Sequence, residues 1–189
     1  SEDRWSSALE CSGNGVWDWD AVTNRVFFSK EWKNMLGYEE HEVGDSLQEW
    51  ESRVHPDDWE MIQVELQKHF NGQTPVYGSE HRLRTRDGSY KWILDRGKVI
   101  SRDEEDKVMR VIGTHTDITE IKKVQEDLNR TRGQLKAILD NLPFLAWFKD
   151  KEGRHIEINR VFEIACGLPR DEIIGKTDLD IWPMELALG

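Results

Sequence analysis

Hydrophobic and polar residues follow two different periods along the chain, and the changes from one period to the other predict its elements. Two short runs of aromatic and β-branched residues, GVWDWD and RVFF, flank the polar segment AVTN and predict a β-hairpin. Three longer runs, roughly at residues 76 to 86, 89 to 101 and 107 to 118, predict strands linked by the turn signals RDGS and RDEED. Between the hairpin and these strands, apolar residues recur three and four apart, which is typical of helices.

The helical segments have recognisable ends. Residues 1 to 12 predict a short cap helix at the amino terminus. A second helix is expected to begin after Ser29, a residue suited to capping, and to end near Gly37. The run VHPDDWEMIQVELQKHFNG predicts a longer helix, with Pro56 in its first turn and Gly72 at its end.

The order of the elements constrains the fold. Two strands, several helices and three strands predict an α+β domain, in which a five-stranded antiparallel sheet carries the helices on one face. In the last strand, residues 110 to 115 place polar and apolar side chains on both faces. The outer face therefore needs cover, either from the cap helix or from a second copy of the chain.

A strand changes into a helix within the stretch GTHTDITEIKK. After it, apolar residues step by three and four and predict a coiled-coil linker helix over residues 120 to 142, which would pair two chains as a homodimer. The seam consists of Ile121, Val124, Leu128, Leu135, Ile138 and Leu142, with the polar Thr131 between them. A helix of about 22 residues spans roughly 33 Å, so it could carry a displacement at the sheet to whatever follows.

The first segment of the chain returns later as a weak repeat. At an offset of 130 residues, Trp17 aligns with Trp147 and Gly37 with Gly167. This predicts that a second domain begins near residue 143. Within the sequence up to residue 189 this copy lacks the long helix and the three closing strands, so its strand edges are expected to be exposed.

Composition excludes several classes of partner. A formal net charge of -11 disfavours nucleic acids and anionic lipid surfaces, because binding either would bring like charges together. No apolar run approaches membrane-spanning length, so no membrane contact is predicted for this fragment. The two cysteines, Cys11 and Cys166, lie far apart and suit a reducing compartment, which predicts a cytoplasmic location.

Four segments carry a resemblance to a known family: EWKNMLGYEEHEV, RVHPDDWEMI, RLRTRDGSYKWILDRGKVI and VIGTHTDITEIKK. Together they resemble a PAS domain with its PAC motif, of the sensory-box kind found in bacterial and archaeal signal-transduction proteins. The resemblance implies a cap helix over 1–12, a PAS domain over 13–119, a signalling helix over 120–142 and the first part of a second PAS domain over 143–189.

The same resemblance implies a function. The chain would be a sensory input module that passes a signal to a downstream effector in the same protein, such as a two-component sensor histidine kinase or a diguanylate cyclase. It contains no Gly-rich phosphate loop, no HExxH and no recognisable nucleophile and base, so the fragment itself is expected to be non-catalytic. Two alternatives stay open: a ligand-free dimerisation scaffold, and a haem or flavin sensor of redox state or gas.

In the family, an Asp and a Thr tie the last strand to the signalling helix, and here these residues are Asp117 and Thr119. Thr119 would cap the first free amides of the helix, and Asp117 would pair with Arg84 or Arg86. The alternative is that both are simply good capping residues.

The interior has nine tryptophans to accommodate, counted over the whole chain. They predict either a pocket for a small ligand or an aromatic core, and the core with a small cavity is favoured. The residues expected to line it are Trp32, Leu36, Tyr38, Trp50, Val54, Trp59, Ile62, His81, Leu83, Trp92, Ile112 and Thr114.

The cofactor is unknown, and none is the favoured prediction. Haem-binding relatives use a histidine on the long helix, where His69 is expected to face solvent or end the helix, and His55 stands at its entrance. No cysteine lies between Cys11 and Cys166, which excludes the flavin adduct of light-sensing relatives. His81 and His115 could report pH, although a hydrogen-bonded structural role is favoured. The HPDD segment is interpreted as a cap and turn, and no metal site is predicted.

Overall fold

The computed structural model describes residues 13–182, so the predicted cap helix over residues 1 to 12 lies outside the described part. The chain divides into two compact units with the boundary between Lys123 and Val124. Within residues 13–182, none of the helices combines the length and the apolar character needed to cross a bilayer.

The first unit is built around one antiparallel sheet. Its strands have the order β2-β1-β5-β4-β3, and the helices lie in the chain between β2 and β3. The strands are β1 (Gly15–Asp20), β2 (Arg25–Phe28), β3 (Tyr77–Arg84), β4 (Tyr90–Arg102) and β5 (Val108–Asp117). The helices are α1 (Lys30–Met35), α2 (Leu47–Glu51) and α3 (Trp59–Phe70), with short 3-10 turns at Glu40–Glu42 and Pro56–Asp58. The prediction of a five-stranded antiparallel α+β fold is confirmed.

Trp17 determines how the three central strands fit together. It stands opposite Gly113 of β5, which in turn stands opposite Gly97 of β4. A Cβ atom at Gly113 would lie 2.2 Å from the indole Cζ2, and one at Gly97 would lie 2.6 Å from Cη2. Since real atoms do not approach so closely, only glycine at these two positions leaves room for the indole.

The HPDD segment forms the turn before α3. The backbone N–H of Asp57 donates to His55 Nδ1 at 3.2 Å, and the Asp58 carboxylate receives Nε and Nη2 of Arg82 at 2.9 and 2.6 Å. Burial alone would raise the pKa of Asp58, but the hydrogen bonds from the side chain and backbone of Arg82 outweigh it, and the pKa is lowered. These contacts agree with the interpretation as a cap and turn.

Strand alternation corrects part of the predicted pocket. Trp92, Ile112 and Thr114 lie on the outer face of the sheet, because the buried face of β4 and β5 carries the residues between them, such as Ile93 and Val111. The Trp92 ring lies 5.3 Å from the guanidinium carbon of Arg82. These three residues were therefore assigned to the wrong face.

A long helix leaves the sheet almost without a loop. Helix α4 (Thr119–Asp140) has 22 residues and begins one residue after the end of β5. The large apolar residues of the predicted seam are exposed: Ile121, Val124, Leu128, Leu135 and Ile138. The helix agrees with the prediction, and its pairing in a coiled coil stays a prediction.

The second unit repeats the first hairpin and helix. It contains β6 (Trp147–Lys149), β7 (His155–Ile158), α5 (Arg160–Cys166), α6 (Arg170–Ile173) and α7 (Asp178–Ile181). Ser29 Oγ accepts from Val16 N at 3.1 Å, and at the same offset of 130 residues Asn159 Oδ1 accepts from Ala146 N at 3.0 Å. Both side chains also cap the following helix, through Trp32 N and Phe162 N. The repeat thus extends to individual hydrogen bonds.

Candidate functional site

The start of α4 is attached to the neighbouring strand β4 through the backbone of one residue. Ile118 N donates to Trp92 O at 2.9 Å, and Trp92 N donates to the hydroxyl of Thr119 at 3.0 Å. On the outer face, the ammonium of Lys122 lies 5.0 Å from the centre of the Trp92 ring. The first turn of the helix is therefore bonded to β4 as well as directly continuous with β5.

Asp117 completes this junction. Its Oδ1 accepts from Thr119 N at 2.9 Å, and its Oδ2 pairs with Lys91 at 2.9 Å. Lys91 also donates to the carbonyl of Met35, at the end of α1. Burial alone would raise the pKa of Asp117, but hydrogen bonds from Thr119 and Lys91 outweigh it and lower the pKa.

Two details of the predicted junction are corrected. The partner of Asp117 is Lys91, whereas Arg86 pairs with Glu42 at 2.7 Å and Arg84 approaches the carbonyl of Ser52 at 3.5 Å. The cap comes from Asp117, while the Thr119 hydroxyl bonds to the adjacent strand. The resemblance to the family identified the two residues but could not show which strand end would lie beside them.

A cavity of about 270 Å³ lies between the helices and the inner face of the sheet. Its walls include the aromatic rings of Trp17, Trp19, Phe28, Trp50 and Phe70. The exposed residues Glu51 and Gln67 lie at the solvent side, and the buried residues Tyr77, Asp95 and His115 form the inner end. A volume of this size is larger than the roughly 150 Å³ cavity that accepts benzene in a protein interior.

The polar end of the cavity is a connected hydrogen-bond network. Trp17 Nε1 donates to Asp95 Oδ1 at 2.9 Å, and His115 Nε2 lies 3.1 Å from Asp95 Oδ2. Trp32 Nε1 donates to His115 Nδ1 at 2.8 Å. Because an indole nitrogen can only donate, His115 Nδ1 must be unprotonated, and the ring proton is on Nε2, the nitrogen that lies 3.1 Å from Asp95 Oδ2. His115 is therefore neutral in this arrangement.

His81 lies beside this network with one nitrogen unsatisfied. Its Nδ1 bonds to the hydroxyl of Ser79 at 2.9 Å, which bonds in turn to the hydroxyl of Tyr77 at 2.6 Å. Its Nε2 is buried and has no hydrogen-bond partner. Burial lowers the pKa of His81 to about 4, so the ring is neutral near neutral pH.

His81, Asp95 and His115 are also a possible set of metal ligands, since one ligand atom of each lies within 4.8 Å of the others. Binding an ion through His115 Nε2 would move the ring proton to Nδ1. There it would face the indole N–H of Trp32, and that hydrogen bond would be lost. The geometry thus favours a hydrogen-bonded network over metal coordination.

The remaining pocket candidates are distributed between the core and the cavity. Trp50 lines the cavity, and the Trp59 ring packs against the Trp50 ring, with the two ring centres 5.9 Å apart. Tyr38 is partly buried beneath the guanidinium of Arg53. The fully packed positions are Trp32, Leu36, Val54, Ile62, His81 and Leu83.

Sequence reasoning did not select Asp95 as a site residue, nor Trp17, Tyr77 or the cavity-lining role of His115. A signal was present, since Asp95 follows Ile93 by two residues and therefore shares its buried face. An acidic residue in phase with a buried strand face is rare unless it has a partner or a function. The side chains around it come from distant segments, which spacing alone does not bring together.

His69 lacks a free nitrogen for haem. It is buried at the end of α3, where Nδ1 bonds to the carbonyl of Thr74 at 2.9 Å and Nε2 accepts from Val99 N at 3.1 Å. The end-of-helix prediction agrees with this position, and the solvent-facing alternative was wrong. A proximal ligand would have to give up the bond to Val99, so this residue fits haem ligation poorly.

Comparison with known proteins points to one fold. Two family profiles described as PAS fold match residues 25–115 and 133–185. The solved sensory box histidine kinase/response regulator from Burkholderia thailandensis E264 is 30% identical, with a TM-score of 0.63, over 71% of this chain and 98% of that one. The amino-terminal domain of a diguanylate cyclase with PAS/PAC sensor from Marinobacter aquaeolei is 25% identical, with a TM-score of 0.50, over 58% and 98%.

Curated relatives are much longer than this chain. A probable diguanylate cyclase of Escherichia coli strain K12 is 24% identical over 173 residues, which cover 92% of this chain and 15% of that protein. The non-motile and phage-resistance protein of Caulobacter vibrioides is 26% identical over 177 residues, or 89% and 20%. The chain therefore spans a fifth or less of the length of the curated relatives it matches.

Proposed function

The chain belongs to the PAS family, and we propose that its first unit is a sensory input domain whose change of state travels through α4 to an effector domain of the same protein. The observation that carries the proposal is the junction of β5 and α4. One residue, Ile118, separates strand from helix, and both its own backbone and the hydroxyl of Thr119 are bonded to Trp92 of β4. A loop that could absorb movement is missing between Asp117 and Thr119.

The cavity and the junction share one strand. Asp95 at the inner end of the cavity is three residues from Trp92 on β4, a distance of roughly 10 Å along the strand. A ligand that shifts Asp95 would therefore shift the residues that hold the start of α4. Packed elements respond to such displacements by moving as rigid bodies, so the helix would tilt or rotate.

Pairing of α4 between two chains is the second part of the proposal. The exposed seam, with Leu128 66% and Leu135 57% accessible, supports a parallel coiled-coil homodimer, because each helix would cover the apolar face of the other. The effector is proposed to be a histidine kinase or diguanylate cyclase, as in the names of the relatives, while this fragment itself carries no catalysis.

The junction is tested by removing one hydrogen bond. Thr119→Val deletes the acceptor for Trp92 N, and we expect amide exchange in the first turn of α4 to accelerate by about fivefold to tenfold, the effect of one lost hydrogen bond. Asn129→Val, at an exposed position of the same helix outside the seam, is the control and should leave that turn unchanged. Equal exchange in both variants would contradict a mechanical attachment of the helix to β4.

The dimer is tested separately by sedimentation. Leu128→Glu together with Leu135→Glu should shift the chain to the monomer, because two buried carboxylates per helix would face each other across the seam. Gln134→Glu adds a charge outside the seam and should not change the mass of the sedimenting species. If the unaltered chain sediments as a monomer at high concentration, this part of the proposal is overturned.

The fully buried positions Trp32, Leu36 and Ile62, which leave no space for a ligand around them, support the alternative of a ligand-free dimerisation scaffold. In that case α4 would pair as proposed, and no small molecule would change the rate of amide hydrogen exchange in the first turn of α4. A haem sensor has less support, since both nitrogens of His69 are engaged, and none of the described residues that line the cavity favours a flavin. An absorption spectrum with a Soret or flavin band would restore that possibility.

A further inference from the structure

Among the residues that the structure describes, the lining of the cavity carries negative charge and no positive charge. Asp95 at the inner end and Glu51 at the solvent side carry carboxylates, while the described residues that line it include no lysine and no arginine. The other polar groups of the lining are the amides of Gln63 and Gln67, the hydroxyl of Tyr77, the neutral ring of His115 and the indole N–H groups of the three tryptophans, of which that of Trp50 is buried without a hydrogen-bond partner. A ligand in this space therefore meets negative charge.

The carboxylate of Asp95 is buried without a cation on either oxygen. The side chain is 2% exposed, and the groups at its two oxygens are the uncharged indole of Trp17 and the neutral imidazole of His115. A carboxylate oxygen has two lone pairs, so each still has one acceptor position. A buried carboxylate is strongly stabilised by a positive partner, and the cavity is the space from which one can come.

The walls suit the same kind of ligand. Trp17, Trp19, Trp50 and two phenylalanines surround the space with aromatic rings, whose negative faces attract cations. Aromatic walls together with a carboxylate are the arrangement by which proteins recognise organic ammonium groups. An ammonium group also leaves His115 in its present tautomer, which a metal ion would not.

We propose that this cavity binds a small organic cation, an ammonium group attached to an apolar or aromatic body, with the ammonium at Asp95 and the body between the tryptophans. This inference rests on the proposed sensory function and names its class of ligand. Size restricts the body to about one or two rings, given the cavity of about 270 Å³.

Three probes of nearly equal shape test the charge: 2-phenylethylammonium, the neutral 2-phenylethanol and the anionic phenylacetate. Each is titrated into the 189-residue chain at pH 7.5, followed by calorimetry and by tryptophan fluorescence. We expect the ammonium compound to bind at least tenfold more tightly than the alcohol, the usual effect of one charge-assisted hydrogen bond. We expect phenylacetate not to bind.

Variants locate the binding. Asp95→Asn keeps the shape and removes the charge, and should reduce the preference for the cation to less than about threefold. Glu60→Gln, an exposed change on α3 outside the cavity, is the matched control and should keep the full preference. If Asp95→Asn does not fold, the three probes on the unaltered chain and Glu51→Gln decide, and Glu51→Gln is expected to weaken the cation by about twofold to threefold.

Each outcome has a definite meaning. Equal binding of the alcohol and the ammonium compound, tighter binding of phenylacetate, or full cation preference in Asp95→Asn overturns the inference. Binding of no probe also overturns it. None of these results decides the proposed function, because the exchange of the first turn of α4 in Thr119→Val is measured without any probe.

Discussion

Trp17 and Trp147 occupy the same place in two copies of one hairpin, yet Trp17 is 9% exposed and Trp147 is 46% exposed. The local hydrogen bonds around them are alike: Ser29 and Asn159 each accept from the strand and from the helix that follows. The difference comes from the rest of the sheet. Trp17 lies over Gly97 and Gly113, on strands that have no counterpart in the second unit up to residue 182.

The comparison separates two kinds of information in a sequence. Hairpins and caps depend on residues close together in the chain, so both copies form them. Burial of a large ring depends on strands that arrive about eighty to one hundred residues later, as the pairing of Trp17 with Gly113 demonstrates. Four predictions follow this distinction, in descending order of effect.

The matched tryptophans should differ most. Trp17→Ala is expected to lower the free energy of unfolding of the first unit by about 3 to 5 kcal/mol, because it removes the indole that packs over Gly97 and Gly113 and leaves a large void there. Trp147→Ala should cost the second unit less than about 1 kcal/mol, since half of the ring already faces solvent. Hydrogen exchange resolved by segment measures the two units separately. Equal losses would contradict the comparison.

The glycine beneath Trp17 should matter almost as much. Gly113→Ala places a methyl group 2.2 Å from the indole and 2.3 Å from the carbonyl of Arg96, so about 3 kcal/mol should be lost from the first unit. Gly133→Ala in α4 meets no atom within 4 Å and should stabilise that helix by roughly 0.5 to 1 kcal/mol. Urea unfolding, followed by tryptophan fluorescence, shows whether each substitution lowers or raises the free energy of unfolding.

A buried histidine should give the first unit a dependence on pH. The pKa of His81 falls from 6.5 to about 4 on folding, so between these values the unfolded chain binds a proton that the folded chain does not. Stability should therefore fall as the pH is lowered from about 6.5 to 4, by up to roughly 3 kcal/mol. His81→Gln should flatten this part of the profile. A substitution at the exposed His41, His41→Gln, should not.

The helix caps should have the smallest effects and the most similar ones. Ser29→Ala and Asn159→Ala should each cost their own unit about 1 to 2 kcal/mol, because both side chains cap a helix and hold a strand. Ser46→Ala is the control, since Ser46 precedes α2 without a side-chain cap bond. Loss in only one unit would break the equivalence of the repeat.

Much of the fold could be predicted, and less of the site. The period of two located β3, β4 and β5 within one or two residues, and Ser29 was correctly expected to cap α1. Predicting the site required the correct face of each strand. For β5 the prediction was shifted by one residue, so it placed Ile112 and Thr114 on the inner face, where the structure has Val111 and Gly113. The lysine that pairs with Asp117 was missed because Lys91 stands near the start of β4 and Asp117 at the end of β5, and only the pairing of these strands brings them together.

The sequence by itself determined the elements, their order, the repeat at 130 residues and the direct passage from β5 into α4, because each depends on periodicity and on neighbours in the chain. The tertiary structure decided which rings surround the cavity, which carboxylate lies at its inner end and which nitrogen of His115 carries the proton. These properties depend on contacts between strands far apart in sequence, and a residue cannot reveal its partners until the sheet has brought them within hydrogen-bonding distance.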